Sequence, residues 1–75
     1  MEKVDNITID PEIQGGKPVI RGTRVPVEVV IGALAGDMTV EEVCREYRIK
    51  KEDVLACLRY ATEVLAEEMV IAVSG

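Results

Sequence analysis

The sequence predicts a mainly α domain in which a small N-terminal β element precedes three helices, the last two joined as a helix-turn-helix. Apolar residues alternate in "NITID", residues 6–10, which is the period-two signature of a short strand. From Pro26 onward the apolar spacing becomes helical. Only Arg48, Ile49 and Lys50 separate the second helical pattern from the third, a junction short enough for a helix-turn-helix. At 75 residues the chain makes a single domain, near the lower limit at which apolar burial alone offsets chain entropy, so a homodimer or another packed partner is expected. Within it, residues 1–25 read as the β element and a loop, 26–67 as the three-helix unit and 68–75 as an apolar tail.

The elements follow in order. Residues 6–9 form the first strand, which Asp10 and Pro11 close. A single helical turn is expected next, with Asp10 as its cap, Pro11 at its first position and Gly15 at its exit. Residues 18–21 form the second strand, pairing with the first in the same chain or in a partner. Helix one starts at Pro26, buries Val27, Val30, Ile31, Leu34 and Ala35, and ends at Gly36. Gly32 inside it costs about 1 kcal/mol relative to alanine, tolerable where another backbone packs closely.

Helix two has the sharpest local signal. Thr39 and Glu42 stand three apart as a capping box, and Met38 and Val43 flank the same turn as a hydrophobic staple. Val40, Val43, Cys44 and Tyr47 turn inward, while Glu41, Glu42, Arg45, Glu46 and Arg48 turn to water. Helix three begins near Lys51, with Glu52 and Asp53 favouring the helix dipole. Its expected buried stripe is Val54, Leu58, Ala61 and Leu65, flanked by Leu55 and Thr62. Beyond Glu68, Met69 to Val73 lose amphipathic spacing and are mostly β-branched, so the tail either continues the helix or, the favoured reading, forms a strand or a partner-bound segment.

Composition removes several function classes. The chain has no histidine, and its two cysteines, Cys44 and Cys57, do not form a zinc pattern. Both fall among apolar neighbours, where a thiol acts as a small hydrophobe, so no disulfide is expected. No nucleophile is paired with a base, so an enzyme, a metal site, a cofactor and a small-molecule substrate are all disfavoured. The longest uncharged apolar run, Val29 to Gly36, is far short of the roughly 20 residues of a membrane span, and the N-terminus lacks a signal-peptide pattern. A cytoplasmic protein is expected.

Net charge is −5, yet two stretches are positive: +3 over residues 15–26 and +2 over 45–59. If the helix-turn-helix meets DNA, helix three enters the major groove, with Lys51, Glu52, Ala56 and Arg59 approaching base edges. Arg45, Arg48 and Lys50 complete this candidate surface. The bland alternative is a solvated face paired to nearby glutamates, and an overall pI near 4.6 argues against strong DNA binding by one isolated copy.

The stretch "GGKPVIRGTRVPV", residues 15–27, fails as a phosphate-binding P-loop, because Pro18 follows Lys17 and Pro11 stands where the first glycine is needed. Its glycines Gly15, Gly16 and Gly22 instead permit backbone angles closed to other residues, letting the chain fold back and launch helix one. Lys17, Arg21 and Arg24 stay as secondary phosphate or partner contacts. Together with "GDMTVEEVCREY" and "EDVLACLRYA", this stretch closely resembles the small prokaryotic family called domain of unknown function 433, whose members are described as antitoxin-like.

The resemblance spans residues 7–65. It implies a homeodomain-like three-helix fold and the antitoxin half of a toxin–antitoxin pair, with a PIN-like ribonuclease as the toxin. Gly16, Lys17, Pro18, Ile20, Arg21, Gly22, Thr23, Arg24 and Pro26 occupy the family's signature, and Glu52, Asp53 and Val54 the start of its third helix. Lys50 departs from it, standing where relatives often place a Ser or Thr cap. The expected function is therefore a dimeric regulator that sequesters a toxin and binds its own operator DNA. The alternative is a protein-interaction module that never meets DNA and holds its partner through helix three and the tail residues Met69, Val70, Ile71 and Val73.

Overall fold

The computed structural model describes residues 6–74, with side chains through Glu67. Strands β1 (Ile7–Ile9) and β2 (Pro18–Ile20) pair antiparallel within the chain, Ile7 opposite Ile20, Thr8 opposite Val19 and Ile9 opposite Pro18. The Arg21 N–H extends the ladder to the Asn6 carbonyl at 2.7 Å. Between the strands, Asp10 does not cap a helix. Its carboxylate accepts from the Glu12 N–H at 2.9 Å, an Asx turn, and the single helical turn falls later, as a 3-10 turn over Gln14–Gly16. Gly15 and Gly16 have φ of 65° and 89°, so the expected structural role of the glycine pair holds.

After β2 the chain reverses through Gly22, at φ 80°. The Thr23 hydroxyl pins the turn, donating to the Ile20 carbonyl at 2.8 Å and accepting from the Val25 N–H at 2.9 Å. That reversal aims the chain into α1 (Val27–Ala35), with Pro26 at its N-cap. Val27 and Val30 are buried, Ile31 and Leu34 half-buried, and Ala35 exposed. The helix closes with the two bonds of a Schellman motif, Met38 N–H to the Ala33 carbonyl and Asp37 N–H to the Leu34 carbonyl, each 3.1 Å. The left-handed residue is Asp37, at φ 82°, one position past the expected glycine.

Helix α2 (Val40–Tyr47) opens on the expected capping box: the Glu42 N–H donates to the Thr39 hydroxyl at 3.1 Å and the Thr39 N–H to the Glu42 carboxylate at 2.9 Å. It ends on Arg48 in a left-handed conformation, φ 57°, after which the Ile49 N–H reaches the Cys44 carbonyl at 3.0 Å. Helix α3 (Lys51–Ser74) follows after three residues and packs on α1, α2 and β1. Met69 to Val73 are thus helical, not a strand. A helix already propagating from Lys51 extends without a new nucleation cost, and nothing between Ala66 and Val73 is a breaker.

The core is built from small and β-branched residues: Ile7, Val19, Ile20, Val27, Val30, Val43, Ile49, Val54, Ala56 and Cys57. No leucine belongs to it. The buried face of α3 is therefore rotated from the expected stripe. Val54, Ala56 and Cys57 are fully buried, with Asp53, Tyr60 and Ala61 half-buried beside them. Leu55, Leu58 and Leu65 are 40%, 39% and 58% exposed. Small residues at 56 and 57 let the neighbouring elements approach closely, a fit that leucines at the same positions would overfill.

The start of α3 does not suffer from the lysine at position 50. Asp53 supplies the bond that fixes it: one carboxylate oxygen accepts from the Lys50 N–H at 3.0 Å, the reciprocal half of a capping box, and the other from the Asn6 amide at 3.4 Å. Asp53→Ala is expected to cost about 1 kcal/mol, read as a lower urea midpoint with an unchanged slope. Both cysteines are free, and burial, with the Asp53 charge adding to it, pushes the Cys57 thiol up from its ordinary 9.0 to about 11. Between those values the unfolded chain has lost a proton that the folded chain keeps, so stability falls as pH rises through that window, by up to about 2–3 kcal/mol. Urea titrations on the two sides of the window check this: the wild type should lose more stability than Cys57→Ala.

Candidate functional site

The short α2–α3 turn makes a cationic corner. Arg45 in the last turn of α2, Arg48 in the left-handed position, and Lys50 and Lys51 at the start of α3 are all exposed, as is Glu52. Chain adjacency and the fixed helix ends bring these residues together. Ala56 does not join them. It is fully buried, because it sits on the side of α3 turned to the core, and it reaches no base edge. Arg59 is exposed but lies in a shallow depression of about 300 Å³ lined by Leu55, Leu58, Thr62 and Glu63. The solvent face in the middle of α3 is thus largely apolar rather than the polar face that reads bases.

The cations of the opening stretch are also exposed, in another setting. The Lys17 ammonium stands 2.7 Å from the Glu28 carboxylate, a surface pair that contributes at most about 1 kcal/mol. The Arg24 carbonyl accepts from the Gln14 amide at 3.1 Å, and Arg21 holds the end of β2 through its own N–H. Lys17 and Glu28 border a second feature that the sequence did not reveal, an apolar groove of about 500 Å³ between β2, α1 and α3. Val27, Ile31, Gly32, Tyr60, Val64 and Leu65 line it.

Gly32 explains part of the groove. No atom lies within 4 Å of where its Cβ would stand, so the close backbone contact expected to justify this glycine is absent from the described residues. The missing side chain deepens the groove floor instead. Among the tail candidates, Met69, Val70, Ile71 and Val73 continue α3 as helix, while their side chains fall outside the described residues.

The comparisons with known proteins agree with this architecture. The family model described as "Protein of unknown function (DUF433)" matches residues 7–61, from the start of β1 into α3. The chain belongs to the DUF433 family. The solved structure of a DUF433 member from Anabaena variabilis matches with a TM-score of 0.73 at 27% identity, covering 93% of this chain and 69% of that one. The crystal structure of Rv2018 from Mycobacterium tuberculosis matches with a TM-score of 0.65 at 30% identity, over 71% of this chain and 25% of that chain. "Uncharacterized protein y4eO" of Sinorhizobium fredii is 49% identical over 37 residues, which is 49% of this chain and 17% of that protein. The chain spans well under two thirds of the length of either of these last two relatives.

The mainly α fold, three helices behind a small two-stranded sheet, is therefore that of a DUF433 protein. Among the described residues of this member, no helix is long and apolar enough to cross a membrane. The open space at Gly32 carries its own prediction. Gly32→Ala should stabilise the protein by up to about 1 kcal/mol, since it removes the helix penalty without a clash. That corresponds to roughly 4–8 °C in melting temperature for a domain of this size, checked by thermal unfolding.

Proposed function

We propose that this DUF433 protein is a non-enzymatic, antitoxin-like binding protein: a dimeric helix-turn-helix regulator that sequesters a PIN-like toxin and meets operator DNA through its basic corner. The observation that carries the protein-binding half is apolar surface. A chain this short leaves Leu55, Leu58 and Leu65 in water and adds a 500 Å³ groove, whereas contiguous exposed apolar surface on a soluble domain marks a protein contact. The tail sequence Met69, Val70, Ile71 and Val73 prolongs the same helix. The antitoxin role and the kind of toxin come from the family resemblance.

The DNA half rests on the exposed cluster Arg45, Arg48, Lys50 and Lys51 beside a three-residue helix junction. Such cations contact phosphates whatever the global charge, with an affinity that falls steeply with salt. A second reading, a protein-interaction module without DNA binding, is favoured by one specific observation. The exposed middle of α3 presents leucines where a base-reading helix presents hydrogen-bonding side chains.

One pair of measurements separates the readings. In a gel-shift titration of the protein against its own upstream DNA at low and moderate salt, the regulator binds, and the triple variant Arg48→Ala, Lys50→Ala, Lys51→Ala binds more weakly on every sequence, with the salt slope reduced by about three. No shift at any concentration leaves the interaction module. In parallel, co-expression with the product of the adjacent gene should yield a complex that Gly32→Leu, which fills the groove, or removal of residues 68–75 disrupts without unfolding the domain. A complex indifferent to both changes would move the binding surface elsewhere.

A further inference from the structure

We infer that α3 pairs antiparallel with α3 of a second copy of this chain, through a seam of Leu55, Leu58, Thr62 and Leu65 bordered by Arg59 and Glu63. This deepens the proposed function by naming the surface through which its dimer forms. The four seam residues recur at intervals of three, four and three, the repeat that holds one helix against another in a coiled coil. All four are exposed, so the repeat is not used by the chain's own core. The single polar member is satisfied at home: the Thr62 hydroxyl donates to the Leu58 carbonyl at 2.8 Å, and burying it in an interface leaves no donor unpaired.

Charge along the helix selects both the occupant and its direction. The only charged residues of α3 after Asp53 are Arg59 and then Glu63, Glu67 and Glu68. A parallel pair in register would bring each charge beside the seam level with its own copy, Arg59 with Arg59 and Glu63 with Glu63. An antiparallel pair sets each Arg59 across from the other copy's Glu63, with Leu58 of one chain interleaved with Leu65 of the other. The two-fold axis then crosses α3 between Ala61 and Thr62, close to the middle of the 24-residue helix, so the two helices overlap along nearly their whole length. At 1.5 Å per residue, that axis puts the two Lys51 positions about 30–32 Å apart along the helix direction. One turn of B-DNA separates half-sites by about 34–36 Å, so the two basic corners of such a dimer lie a few ångströms short of that spacing along the helix direction.

Sedimentation equilibrium on the full chain, from micromolar to sub-millimolar concentration, tests the seam, with circular dichroism reporting that each variant stays helical. The wild type should be dimeric, and the double variant Leu58→Glu, Leu65→Glu monomeric. Arg59→Glu alone and Glu63→Arg alone should each dimerise about tenfold more weakly, since either change sets like charges across the axis twice. Mixed together, those two single variants should form a heterodimer at near wild-type affinity, because each then meets its opposite charge, an outcome that a role confined to one helix does not produce. A wild type that stays monomeric, a dimer that survives the double leucine substitution, or two charge variants that ignore each other would overturn the inference. The result is independent of the gel shift, so a protein that dimerises in this way and never binds DNA would lose only its operator.

Discussion

The rotational setting of α3 decides most of what this protein presents to its surroundings. Ala56 and Cys57 are fully buried next to Val54, and they are small enough for the neighbouring elements to close over them. A helix can give the core only one side. Having given it the small residues, α3 turns its leucines outward, so the core is stocked with valine and isoleucine while the larger side chains remain outside. A core of that size leaves a chain of this length with little stability in reserve, and the same rotation that makes the core small leaves an apolar face on the outside of α3.

Helix ends hold this setting in place, and they were legible to different degrees. The capping box of Thr39 and Glu42 is written in a local spacing, and the structure contains both of its bonds. The ends of α1 and α2 are not written that way, because their left-handed positions fall on Asp37 and Arg48 rather than on glycine. A side chain costs energy in that conformation, and the two Schellman-type closures carry the cost through their hydrogen bonds. Asp53 is the residue that sequence reasoning undervalued. Read alone, it is an acid in the first turn of a helix. Its second partner is Asn6, which lies 47 residues away in sequence, and no local pattern announces a bond across that distance.

The candidate site divides along the same line. The cations at 45, 48, 50 and 51 were placed correctly on the surface because polar residues in a short helix-turn-helix junction have nowhere else to go. Ala56 was misplaced for a physical reason. The stripe Val54, Cys57 and Ala61 and the stripe Leu55, Leu58, Thr62 and Leu65 stand one residue apart, about 100° around the helix, and both have helical period. Periodicity cannot choose between two such stripes; packing volume does. A hydrophobicity-based reading prefers the leucines, which a core of closely approaching elements excludes. The groove beside Gly32 was invisible for a related reason, since an empty space is made by residues from three elements and belongs to none of them.

Electrostatics would constrain how the two proposed kinds of binding coexist on one small molecule. The chain carries a net charge of −5, and the proposed dimer would carry twice that, so its long-range field would repel DNA and only local contact at the basic corners would attract it. Phosphate contacts weaken steeply as salt rises, whereas apolar burial does not depend on salt in that way. Protein contacts through the α3 face and the groove would persist across conditions in which DNA contact is marginal. In the proposed regulator the dimer would come first in the order of events: a single basic corner on an acidic chain would be a weak ligand for DNA, and two held at a fixed separation would be required before their effects combined.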